Sequence, residues 1–187
     1  MSRLCILFAV ALLFVPMALG QQKEKTEEAY TGVAMGTGGS VGGRTIPFDL
    51  RINEYTTDED VLQLAQLLKE KGQGALRREL EKRDVGRINA VGSTGNRIAV
   101  ARKFKEGDKT IIRIFTARQM GFFELYQSGR SVDYPFGFLQ LTLDEKGEGT
   151  GQFIVAVNIR FDKKQGKVEM ESYGNQYVKA ANVRPMK

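Results

Sequence analysis

Histidine is absent from all 187 residues, and the single cysteine, Cys5, lies within the first few positions. A Ser–His–Asp triad, a Cys–His pair, a histidine-ligated metal and a histidine base are therefore excluded. Carboxylates, lysine, tyrosine, serine and threonine remain. Their densest grouping is Gly121 to Phe138 (GFFELYQSGRSVDYPFGF). There Phe122, Phe123, Tyr126, Tyr134 and Phe136 interleave with Glu124, Arg130 and Asp133. Aromatic walls carrying a few fixed polar groups are the composition of a small-molecule pocket. On that reading the five aromatics wall the site, Arg130 and Asp133 orient an apolar or amphipathic guest, and Glu124 stands beside them. The competing reading is a loop whose aromatics fill one end of the sheet, with Arg130 and Asp133 as a structural ion pair.

Other groupings point to less. A glycosidase needs two carboxylates at fixed separation, and Glu124 with Asp133 is the pair to test. The chain has no tryptophan to serve as a sugar platform, so a carboxylate-dependent hydrolase ranks third and no catalytic residue is assigned. Asp144 to Glu148 offers three carboxylates but lacks the ligand alternation of a calcium loop, which favours a charged hairpin turn and no metal. Five glycines between Gly36 and Gly43 could cradle a phosphate, but no Lys-Ser/Thr follows and the next residues read as a strand. No cofactor is expected.

The elements that would position these residues follow from periodicity. Ile46, Phe48, Leu50 and Ile52 alternate with polar residues, as in a strand. Thr57 with Asp60 resembles a capping box before a helix over 58–71, whose stripe is Val61, Leu64, Ala65 and Leu68. Gly72 and Gly74 close it, and a second helix spans Ala75 to Lys82. Arg77, Arg78, Lys82 and Arg83 read as a solvated face supported by Glu79 and Glu81 rather than a patch for an anionic partner. Strands follow at 87–91, 98–104 and 111–115. Then comes a meander with Leu139 to Leu143, Phe153 to Phe161 and Val168 to Tyr173 as strands, joined by glycine-rich charged turns. Glu169 and Glu171 fall opposite Arg160 or Lys167. Tyr177 to Val183 adds a final strand. The expected fold is α+β: a curved antiparallel sheet or partial barrel of about 7–8 strands, with a helical hairpin inserted after the first.

Met1 to Gly20 has a basic start, an apolar core and a small-residue end, the pattern of a secretory signal peptide. Residues 21–43 read as a flexible glycine-rich segment and 44–187 as one domain. Removing Arg3 with the signal lowers the formal charge from +6 to +5. Charges of both signs are interspersed, which disfavours nucleic acid. The mature chain has no cysteine, no disulfide and no stable membrane span. It is expected to be periplasmic or extracellular, with a small apolar ligand or an envelope protein as partner.

Arg130 to Phe136 (RSVDYPF), Leu139 to Gly151 (LQLTLDEKGEGTG) and Arg160 to Gly174 (RFDKKQGKVEMESYG) resemble a family of small exported bacterial proteins of unknown function. The likeness covers most of the mature chain and implies no activity, cofactor or partner. The order of elements is similar to helix-grip lipid-binding domains, without their long C-terminal helix. Two functions follow from these readings. The first is a non-catalytic binding protein for an apolar ligand or envelope component. The other is a protein–protein interaction module of the cell envelope without an internal pocket, using an edge strand or the basic helix.

Overall fold

The computed structural model describes residues 25–36, 43–120, 133–173 and 178–186. Its elements are β1 (Lys25–Gly36), β2 (Thr45–Glu54), α1 (Asp58–Leu80), β3 (Gly86–Ala90), β4 (Asn96–Ile98) and β5 (Val100–Glu106). They continue with β6 (Lys109–Thr116), β7 (Phe136–Leu143), β8 (Gly149–Asp162), β9 (Lys167–Ser172) and β10 (Val178–Pro185). The strands form one sheet in the order β4-β3-β2-β1-β10-β8-β7-β6-β5, with β9 paired to β8 off this path. The two ends of that order are successive pieces of one chain run. β4 pairs with β3, and β5 pairs with β6. At the change of partner, Ala99 donates its N–H to Phe115 O at 2.8 Å. Thr56 bridges the remaining seam: its N–H donates to Ala101 O at 2.8 Å, and its hydroxyl accepts from Ala101 N at 3.1 Å. The sheet is thus a nearly closed barrel.

The antiparallel meander and the α+β class agree with the sequence, and three expectations are corrected. The sheet has ten strands rather than seven or eight. Residues 25–36, expected to be flexible, form β1 between β2 and β10. Its inward positions are Tyr30, Gly32, Ala34 and Gly36, and the last three are small residues that leave room for neighbours. A Cβ on Gly32 would come within 2.9 Å of the Phe48 ring. The helical hairpin is replaced by one kinked helix: Gly72 sits at φ 74°, ψ −177°, and the helix resumes beyond it. Leu64, Leu68, Leu76 and Leu80 are its buried residues. As expected, Thr57 is the N-cap, its hydroxyl accepting from Asp60 N at 3.2 Å.

Two cores result. Phe48, Leu50, Ile52, Ile88, Ile98, Ile112, Ile114, Leu139, Leu141, Phe153 and Val155 come from alternate positions around the sheet and fill the interior. Outside, the four helix leucines cover Val100, Phe136, Phe138, Val157 and Ile159. β8 serves both cores because its register against β7 shifts between Phe136↔Val157 and Phe138↔Ile154. Before this bulge Phe153 and Val155 point inward; after it Val157 and Ile159 lie under α1. Residues 153–161 had read as a single uninterrupted face.

Candidate functional site

Phe122, Phe123, Glu124, Tyr126 and Arg130 lie outside the described residues, as does the expected signal segment. The three described residues of the expected site are Asp133, Tyr134 and Phe136. Phe136 is fully buried in the cluster under α1. Tyr134 is half-buried, with its ring 5.1 Å from that of Tyr173 at 64°. Asp133 is exposed, and its backbone carbonyl accepts from Gln73 Nε2 at 3.4 Å. Inside the barrel the rings of the buried Phe48 and Phe153 meet edge to face at 5.1 Å.

A cleft of about 320 Å³ lies outside the barrel, between the β2–α1 loop and the end of α1. Glu54, Asp60, Glu79 and Asp84 line it with Lys82 and Arg83. Arg83 and Asp60 are ion-paired across 3.0 Å. Such a lining suits polar solutes and water rather than an apolar guest. The basic cluster on α1 is neutralised as the sequence suggests, by Arg77–Glu81 at 3.1 Å and Lys82–Glu79 at 2.9 Å.

One barrel end carries a polar cap that the sequence does not reveal. Glu28 on β1 accepts from Tyr30 Oη at 2.8 Å, Tyr55 Oη at 2.8 Å and Lys103 Nζ at 2.7 Å. Burial pulls the Glu28 pKa upward, but the hydrogen bonds from Lys103, Tyr30 and Tyr55 outweigh it and hold the carboxyl below its usual value. Burial, then the Glu28 carboxylate, pushes both phenols above theirs. Two un-ionised phenols and an ammonium committed to one carboxylate offer neither a nucleophile nor a base near neutral pH. The cap is structural. At the same end, Asp144 Oδ1 accepts from the N–H groups of Lys146 and Glu148, each at 2.9 Å. That carboxylate therefore serves its own turn. Among the described residues, no group of three or more metal-ligating side chains is placed to hold a metal ion.

The opposite end extends into a two-stranded ribbon. β9 pairs with the C-terminal half of β8, from Val157↔Ser172 to Asp162↔Lys167. Arg160 braces its face, 3.5 Å from Glu169 and 3.6 Å from Glu171, with Lys167 3.8 Å from Glu169. Val168 and Met170, half-buried, pack against the cluster under α1. Tyr173 N–H donates to Ala156 O at 3.0 Å in the same register. Because antiparallel partners alternate between bonded and non-bonded pairs, Glu171, Glu169 and Lys167 also direct their backbone groups toward β8. The N–H and C=O of Val168 and Met170 therefore point away from β8, and among the described residues no strand lies on that side. No protein-family model matches this chain, and neither a curated protein nor a solved structure does.

Proposed function

We propose that this chain is an exported, non-catalytic interaction module that docks an extended strand onto the open edge of β9. The observation that carries this reading is the pair of residues with outward backbone groups, Val168 and Met170, on a ribbon clamped by α1 behind it. An added strand would take its affinity from main-chain hydrogen bonds. Natural sheets usually blunt such an edge with proline, a bulge or an inward charge. β9 has no proline, and its pairing with β8 is regular through Ser172. The rival reading, an internal site for a small apolar guest, requires space that Phe48, Phe153 and their neighbours occupy.

A photo-crosslinking residue at position 172, in chain expressed in its own host, tests this. The expected result is a discrete adduct that disappears when Met170→Pro removes an outward N–H. No adduct, or adducts indifferent to Met170→Pro in a folded chain, would contradict the proposal.

A further inference from the structure

Three arginines that lie far apart in the sequence line up on the outside of the barrel. Leu50, Ile52, Ile88 and Ile98 fill its interior, so the residues that alternate with them face outward. In the ladder Arg51 stands opposite Arg87, and Arg87 stands opposite Arg97. All three are exposed. Directly opposite residues have Cβ atoms about 4.5–5.5 Å apart, and like charges so placed repel each other. Elsewhere the fold answers its cations with carboxylates, as in Arg77–Glu81, Arg83–Asp60 and Arg160–Glu169. Here Arg87 donates from Nη1 to the Thr94 carbonyl at 3.0 Å, but among the described residues no carboxylate is ion-paired with any of the three. The ladder is a concentrated positive charge that the protein leaves uncompensated.

An apolar row runs beside it on the same face. Val91 donates its N–H to Pro47 O at 2.9 Å, and Pro47 stands opposite Val33. Val91 is 58% exposed, and Pro47 is exposed as well. In the row between, Asp49 is the one carboxylate, and Arg184 offsets it across Thr31. We infer that this outer face of β2, β3 and β4 rests on an anionic phospholipid surface. Each guanidinium fork takes a lipid phosphate in a two-pronged hydrogen bond, which removes the repulsion within the ladder. Val91 and Pro47 enter the headgroup layer, because interfacial binding combines charge attraction with burial of apolar side chains. A soluble polyanion would satisfy the arginines but leave the apolar row in water. The chain would thus lie on the membrane without spanning it.

Vesicle co-sedimentation of the chain purified from its own host tests this. Binding is expected to vesicles of equal parts phosphatidylcholine and phosphatidylglycerol, weakened by salt, and not to phosphatidylcholine alone. Each of Arg51→Gln, Arg87→Gln and Arg97→Gln should weaken binding about fivefold, and the triple variant about a hundredfold. Removing like charges from facing positions should leave the triple variant at least as resistant to thermal unfolding as wild type. Val91→Ser should weaken vesicle binding about threefold and leave any binding to inorganic polyphosphate unchanged. No binding to the anionic vesicles, equal binding to neutral ones, or a folded triple variant that binds as well as wild type would overturn the inference. Arginine-dependent binding to polyphosphate without binding to vesicles would overturn it too, in favour of a soluble polyanion. If the triple variant unfolds, the single variants carry the same test.

Discussion

The backbone N–H of Tyr173 donates to the carbonyl of Ala156 at 3.0 Å, in line with the pairing of β8 and β9. That bond fixes the parity of the whole strand: odd-numbered positions of β9 face the barrel's own sheet, even-numbered positions face out. Proline has no N–H, so its cost in β9 depends on parity. Glu171→Pro removes a ladder bond and should destabilise by about 1–3 kcal/mol more than Met170→Pro, which removes an outward donor. Denaturant unfolding of the two variants measures the difference.

Glu28 makes the fold sensitive to acid. Its folded pKa lies below the ordinary 4.5, so the ionised form is favoured in the folded state. The associated stability is fully present above the ordinary value and is lost as pH falls through the lowered folded one. Glu28→Gln should cost about 1–3 kcal/mol near neutrality, where a charged hydrogen-bond acceptor is lost. Thermal unfolding from pH 7 down to pH 3 should show the gap between wild type and Glu28→Gln narrowing at the acid end.

Two glycines in α1 should respond in opposite directions to the same substitution. Gly72 lies at φ 74°, ψ −177°, a conformation that alanine adopts only with strain, so Gly72→Ala should destabilise by about 1–3 kcal/mol. Gly74 has no positive φ and nothing within 4 Å of a built Cβ. Gly74→Ala should stabilise by about 0.4–1 kcal/mol through the unfolded chain. Chemical denaturation of the pair tests whether the kink, rather than helix propensity, sets the cost.

The helix is held by few residues. Leu68 is 4% exposed and Leu62 is 51% exposed. Leu68→Ala should cost about 2–5 kcal/mol, the range for emptying a buried leucine site. Leu62→Ala should stay within about 0.5 kcal/mol. Calorimetry of both variants checks the assignment of faces.

The regular strands were legible from their apolar residues: 46–52 and 139–143 alternate plainly, and 111–115 is apolar but for Arg113. β1 was not, because Gly32 and Ala34 point inward where larger side chains would collide with Phe48, so its alternation is of size rather than polarity. The trace left in the sequence is Tyr30-x-Gly32-x-Ala34-x-Gly36. Gly149 and Gly151 looked like turn residues for a related reason. A Cβ on Gly149 would come within 2.0 Å of Thr142 O, so glycine there permits close approach of β7 within the ladder. The β8 bulge leaves no signature in composition, which is why residues 153–161 read as one face. Of the expected site, the burial of Phe136 under the outer helix was not legible, because such an aromatic has the same sequence pattern as one lining a pocket. Glu28, Tyr55 and Lys103 converge from three distant segments, and no local spacing encodes that.

Residue-resolved amide exchange of β9 in dilute, monomeric chain tests the central claim most directly. An open edge predicts alternation: Lys167, Glu169 and Glu171 protected by β8, Val168 and Met170 exchanging fast, with the fast pair slowing only when a strand is added. Uniform protection across these five amides in the monomer would mean that the edge is already covered, and would contradict the account.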